Sequence, residues 1–241
     1  MGRVTEADDP RVLELLTSLS RDHELPEGSA NSLALLLGLV QASPHSLTAV
    51  RDPLDAVQLH VADSLVGLGV ADLSGAERIA DLGSGAGFPG LVLAVARPKA
   101  HVVLVESVGK KAAFLVDAAE RMRLTNVEVL PVRAESWAAG LGTIDAVTAR
   151  ALAPLGVLAE YAAPLLRPEG VLVAWKGRRN REEEDTGRRA AAVLAMSGPE
   201  ALKVHGQGTA ERHLYLSRKV GVTPGGYPRR AGMASKYPLG A

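Results

Sequence analysis

The stretch Ile79-Ala80-Asp81-Leu82-Gly83-Ser84-Gly85-Ala86-Gly87-Phe88-Pro89-Gly90 constrains this chain more tightly than any other. A short apolar run ends in an acid, passes through alternating glycines and enters a segment whose first turn holds a proline. Glycine tolerates positive φ and carries no Cβ, so such a loop can turn sharply and present bare backbone to a ligand. The surroundings supply the context that this reading needs. β-Branched runs at 78–82, 101–106, 127–132, 144–148, 170–175 and 212–218 alternate with amphipathic stretches at about 89–97, 108–123, 135–140 and 154–166. This alternation predicts a parallel sheet covered by helices on both faces, with ligands at the carboxyl ends of its strands.

Two ligand classes fit the loop. Gly85-x-Gly87-x-x-Gly90 satisfies the dinucleotide fingerprint, with Glu106 near the end of the next strand where a ribose-binding acid belongs. Asp81, two residues before Gly83, makes the longer pattern Asp-x-Gly-x-Gly-x-Gly. A carboxylate at that strand tip sits badly against a pyrophosphate and well against a ligand carrying a cationic sulfonium and an amino-acid end. The loop therefore points to S-adenosylmethionine, and the expected fold is a Rossmann-like α/β methyltransferase sheet. In that setting Asp81, Gly83 and Gly85 belong to the cofactor loop. Glu106 offers two oxygens to the two ribose hydroxyls.

Upstream, residues 10–20 and 31–40 have helical apolar spacing, and a further helix starts near Asp52 as cap with Pro53 in its first turn. The expected organisation is a helical extension over 1–70, a cofactor-binding domain over 71–218 and a basic tail over 219–241. That tail, rich in Pro, Gly, Arg and Lys, is expected to be disordered in the free protein. The formal net charge is zero, yet after Glu211 there is no acid while Arg212, Arg218, Lys219, Arg229, Arg230 and Lys236 follow. Such asymmetry suggests a polyanionic partner. No apolar run approaches the roughly 18 residues of a membrane span, and no cationic start leads into an apolar stretch, so a cytoplasmic location is expected. The six histidines lack paired metal-ligand spacing, and no metal is assigned.

The acceptor must be argued from residues. With no cysteine in the chain, methylation of a pyrimidine carbon through a thiolate is excluded. The fourth strand is followed by Ala151-Leu152-Ala153-Pro154, which lacks the Asn/Asp-Pro-Pro-aromatic loop used on exocyclic amines. The lysine–acid set used on ribose hydroxyls cannot be assembled around Lys176. Guanine N7 carries a lone pair and no proton to lose, so in-line displacement there needs orientation and no general base.

Asp81 to Gly90, ending in Gly-Phe-Pro-Gly, resembles the signature of the bacterial RsmG (GidB) family. So do Val105-Glu106-Ser107 with Lys110-Lys111, Arg133-Ala134-Glu135, Ala149-Arg150-Ala151, Trp175-Lys176-Gly177, His60-Val61-Ala62-Asp63-Ser64-Leu65 and the tail Tyr227-Pro228-Arg229-Arg230-Ala231-Gly232. The resemblance spans about residues 46–233. Ser46-Leu47-Thr48 departs from the family's Asn-Leu-Thr, as do Ala231 and Ala234 in the tail.

The resemblance implies transfer of methyl from S-adenosylmethionine to N7 of a guanine in 16S rRNA near the decoding site, with rRNA or the small ribosomal subunit as partner. It implies a cofactor site of Gly83, Phe88, Ala134, Glu135 and Arg150, although Arg150 suits an RNA phosphate or a substrate edge equally well. Lys110, Lys111, Lys176, Arg178, Arg179, Arg229 and Arg230 are the expected RNA contacts, with Tyr227 and Tyr237 available to stack on bases. Three other readings stay open: a small-molecule methyltransferase, a nicotinamide-binding oxidoreductase, and a non-catalytic RNA-binding module on the same fold.

Overall fold

The six strands read from the sequence, joined by one more at the edge, form one seven-stranded sheet in the order β3-β2-β1-β4-β5-β7-β6. The computed structural model describes residues 9–204 and 211–241; 1–8 and 205–210, which fall in the expected extension and cofactor domain, lie outside the described residues. The strands are β1 (Arg78–Leu82), β2 (His101–Val105), β3 (Val127–Leu130), β4 (Ile144–Arg150), β5 (Leu166–Lys176), β6 (Glu200–Val204) and β7 (Arg212–Arg218). Neighbours among β1 to β5 pair in parallel, while β7 runs antiparallel to both β5 and β6. The parallel reading thus holds for five strands and not for the far edge. β6 is not predicted from the sequence: it is a short edge strand of five residues, none of them buried, and so lacks the apolar alternation of a half-buried strand.

Period-two alternation divides the strand residues between the two faces. Ile79, Val102, Leu104, Val171 and Val173 face one core; Ala80, Val103, Val105, Leu172 and Ala174 face the other. The first core takes helices α6 (Gly90–Ala96) and α7 (Gly109–Arg121), together with the N-terminal helices α1 (Pro10–Asp22) and α2 (Ser29–Ala42). The extension is therefore continuous with the sheet's own core. The second takes α8 (Leu155–Ala162), α9 (Arg181–Val193) and α10 (Met233–Lys236).

Local sequence explains the helix starts. Asp9 accepts from Arg11 N ahead of α1, and Asn180 accepts from Glu183 N ahead of α9. Asp52 accepts from Leu54 N and Asp55 N at α3 (Pro53–Ala56), with Pro53 at the first helical position as read from the sequence. This helical run continues through a π turn (Val57–Ala62), α4 (Asp63–Leu65) and a 3-10 turn (Val66–Gly69) to α5 (Ala71–Ser74). Residues 135–140, expected as a helix, form two 3-10 turns, Ala134–Ser136 and Ala138–Gly140.

The tail departs most from expectation. Residues 219–241 are packed on the protein: Ala234 is buried, Tyr227 and Leu239 pack on the second core, and Arg229 forms an ion pair with the buried Glu160 of α8. A composition poor in apolar residues suggested disorder. The buried carboxylate that receives Arg229 lies 69 positions away, where composition has no view of it.

Trp175 on β5 fastens the extension to the sheet. Its indole N–H donates to Asp63 O at 2.7 Å, and its ring fills the space beside Gly67, where a Cβ would come within 2.6 Å of it. Trp175→Phe is expected to leave the buried Asp63 carbonyl without its donor and to cost about 1–3 kcal/mol. A urea midpoint unchanged from the parent would show that the indole hydrogen bond contributes nothing.

Candidate functional site

The glycine loop leaves β1 and crosses the carboxyl edge of the sheet. Gly83 has φ +68°, a conformation that L side chains rarely adopt, so the turn itself requires glycine; the atom that a Cβ would meet at 2.6 Å is only the end of the exposed Leu152 side chain. At Gly90 the demand is contact alone: a Cβ would lie 2.3 Å from Leu104 and 2.7 Å from Asp81 Oδ2. α6 can start this close to β1 only because that side chain is absent.

Asp81 lies beneath the loop. It is 1% exposed; Oδ2 accepts from Gly90 N at 3.2 Å and Oδ1 from the Thr148 hydroxyl at 2.8 Å. Burial pushes its pKa up to about 6, against the opposing pull of these hydrogen bonds. The expectation that its carboxylate faces a cationic ligand is corrected here: it braces the loop from below, tying β1 to α6 and β4. Glu106, just past β2, accepts from Gly85 N at 3.0 Å through Oε2 and from Val108 N at 2.8 Å through Oε1. It joins the loop to the start of α7, and each oxygen retains a further lone pair.

Two clefts open along this edge. The first, about 80 Å³, lies at the ends of β1, β2 and β3 and is lined by Gly83, Ser107, Ala134, Glu135, Leu152 and Tyr161 among others. The second, about 440 Å³, lies at the ends of β4 and β5 against the extension, with His60, Asp63, Arg150, Trp175, Lys176 and Arg212 in its wall. The structure thus brings Gly83, Ala134 and Glu135 together at the first cleft, with Gly85 and Glu106 just behind. Phe88 and Arg150 belong with the second.

In the second cleft Arg150 donates to Asp63 Oδ2 at 2.9 Å and to Leu59 O at 3.0 Å. Its guanidinium carbon lies 5.5 Å from the centre of the Phe88 ring, on which the His60 ring stacks at 4.6 Å. Arg212 donates to Asp63 Oδ1 at 3.2 Å. His60 Nε2 bonds the Thr48 hydroxyl at 2.8 Å and Nδ1 lies 3.4 Å from Arg150 Nη2. Burial, reinforced by the positive Arg150, lowers the His60 pKa to about 4, so the ring is neutral at pH 7. Two guanidiniums facing one carboxylate leave this group of three with an excess positive charge. Arg212 had been read from the sequence only as part of a basic run, because its partner Asp63 is 149 residues away.

The expected RNA contacts divide. Lys110 and Arg230 are exposed and Lys111 is partly exposed, all three without ion-pair partners among the described residues, and the side chain of Arg178 is 89% exposed, with Glu211 at 4.0 Å. Lys176, Arg179 and Arg229 differ from these in having acidic partners within the protein, Glu183, Glu184 and Glu160 respectively. Glu183 meets Lys176 at the end of β5, and the buried Glu184 accepts from Arg179 and from the Tyr215 hydroxyl. Tyr227 packs on the second core and Tyr237 is exposed. Among the described residues no group of three His, Cys, Asp or Glu side chains is placed to hold a metal ion, and no helix is long and apolar enough to cross a membrane.

Residues 31–215 match the family model GidB, described as rRNA small subunit methyltransferase G. Among curated proteins the chain is similar to Ribosomal RNA small subunit methyltransferase G of Rubrobacter xylanophilus, 43% identical over 85% of this chain and 80% of that one. The protein of the same name from Deinococcus radiodurans is 41% identical over 86% of this chain and 84% of its own. Among solved structures the fold is similar to that of a 16S rRNA (adenine(1408)-N(1))-methyltransferase from Catenulisporales acidiphilia with cosubstrate SAM. That match has a TM-score of 0.53 at 17% identity and covers 64% of this chain and 90% of the other.

The depressed pKa of His60 has a measurable sign. Between about pH 6.5 and 4 the unfolded chain takes up this proton and the folded chain does not, so stability falls as the pH drops through that window. Asp81, raised to about 6, acts oppositely, and its contribution cancels when two variants are compared. From pH 7 to 4.5, His60→Gln is expected to lose about 2 kcal/mol less stability than the parent. Equal losses in urea unfolding at the two pH values would mean that His60 is not held neutral.

Proposed function

From its membership of the GidB family of rRNA small subunit methyltransferases G, to which this chain belongs, we propose that it methylates N7 of a guanine in 16S rRNA near the decoding site, with S-adenosylmethionine as methyl donor. One observation carries the reading: two clefts lie side by side at the carboxyl edge of the parallel strands, one over β1 to β3 and one over β4 and β5. Ligands of doubly wound sheets bind where the strand order reverses, here between β1 and β4.

The residues of the first cleft suit the donor. Glu106 keeps lone pairs for two ribose hydroxyls after accepting its two backbone N–H groups, and Ala134 brings a backbone amide to the adenine side. Bare backbone at Gly83 forms the floor. When bound, S-adenosylmethionine supplies an activated methyl group on a cationic sulfonium.

The second cleft suits the acceptor. Arg150 and Arg212, oriented by Asp63, present N–H donors to a base oxygen or a phosphate, so Arg150 is read as an acceptor ligand. His60 has both nitrogens engaged and Asp63 is tied between two guanidiniums, so neither stands as a free general base for a substrate proton. A nucleophile that loses no proton, such as guanine N7, fits such a site. Lys110, Lys111, Arg178 and Arg230 are the cations left to meet phosphate, and the enzyme works in the cytoplasm, where ribosomal subunits are.

Transfer of labelled methyl to 30S subunits lacking the modification is expected to yield 7-methylguanosine; label in any other nucleoside would discard the N7 assignment. Glu106→Ala is expected to weaken S-adenosylmethionine binding at least tenfold with RNA affinity retained. Lys110→Ala with Lys111→Ala is expected to do the reverse and to flatten the dependence of RNA affinity on salt.

A further inference from the structure

The C-terminal segment 227–240 makes contacts that land on the cofactor cleft itself. Glu135 and Tyr161 both line that cleft. Glu135 Oε1 accepts from Gly232 N at 2.9 Å, and the Tyr161 hydroxyl lies 3.0 Å from the Ser235 hydroxyl. Gly232, at φ +84°, turns the chain so that its N–H meets the carboxylate. Further attachments hold the segment there. Arg229 donates through Nε and Nη2 to Glu160, which is 1% exposed on α8, and also to Tyr237 O at 2.9 Å. Ala234 is buried, and Arg189 of α9 donates to Gly240 O at 2.7 Å.

We propose that this tail is a working part of the cofactor site: the buried Glu160–Arg229 ion pair anchors it, and through Gly232 and Ser235 it positions Glu135 and Tyr161 to receive the adenosine end of the donor. A bidentate guanidinium–carboxylate pair fixes geometry as well as distance. Removing one member leaves the other buried and uncompensated, so the anchor cannot be lost without the tail lifting. Arg229 and Glu160 do not line the cleft and act as positioning residues. The inference rests on the assignment of the first cleft to S-adenosylmethionine.

The test uses the full-length chain, with S-adenosylmethionine as the calorimetric probe and amide hydrogen exchange reporting the tail. Arg229→Ala is expected to free the amides of 229–237, to loosen 133–135, and to raise the dissociation constant at least tenfold. In turnover, KM for S-adenosylmethionine rises while kcat changes less than twofold, and Arg229→Lys recovers part of the loss. Ala234→Asp, which expels α10 but keeps both members of the ion pair, is expected to behave alike and serves if Arg229→Ala fails to fold. A variant that melts cooperatively, shows the freed tail and binds with parental affinity overturns the proposal. Failure of the parent chain itself to bind would instead overturn the cofactor assignment beneath it.

Discussion

Asp63 is where the helical extension and the sheet become one object. One carboxylate oxygen receives Arg150 from the end of β4, the other receives Arg212 from the start of β7, and its carbonyl receives the Trp175 indole from β5. Without its carboxylate, two guanidiniums would face each other across the second cleft, and the extension would keep only its backbone links, through Leu59 O to β4 and through the Asp63 carbonyl to β5. Paired buried charges of this kind gain much of their value from geometry, since breaking one member costs more than the pair itself contributes. Here the geometry defines a cleft wall, with the neutral His60 stacked on Phe88 beside Arg150.

The donor side is built on the same economy of buried carboxylates. Asp81 braces the glycine loop from beneath and Glu106 closes it from the side, so two acids fix a segment that has almost no side chains of its own. A glycine-rich loop is otherwise conformationally free, and ordering it by fixed acceptors before a ligand arrives lowers the cost of binding. The two acids differ in place: Asp81 lies beneath the loop, tied to Gly90 and Thr148, whereas Glu106 lies at the loop's flank just behind the cleft.

Much of this was legible in the chain. Alternation of β-branched and amphipathic runs announced the sheet, Asp52-Pro53 announced a helix start, and Asp81 to Gly90 announced both the loop and the class of its ligand. These features are local: a few adjacent residues impose a period, a cap or a turn, and the physics acts over the same few residues. β6 was missed because an exposed edge strand lacks the apolar pattern that marks buried ones, and 135–140 was read as a helix where two 3-10 turns stand.

What only the tertiary structure decided was the partner of each charge. In the sequence Lys176, Arg179 and Arg229 looked like Lys110, Lys111 and Arg230; folding set the first three against Glu183, Glu184 and Glu160, whereas the others have no ion-pair partner among the described residues. The tail, read as disordered from its composition, is ordered because Glu160 sits buried on α8 to receive it. Sequence alone determined the sheet, the loop and the kind of ligand, since each follows from short-range periodicity and backbone freedom. Which ionic groups face a substrate and which hold the protein together was set by contacts at every range: Lys176–Glu183 and Arg179–Glu184 span 7 and 5 residues, whereas Arg229–Glu160 and Arg212–Asp63 span 69 and 149 and leave no local pattern to read.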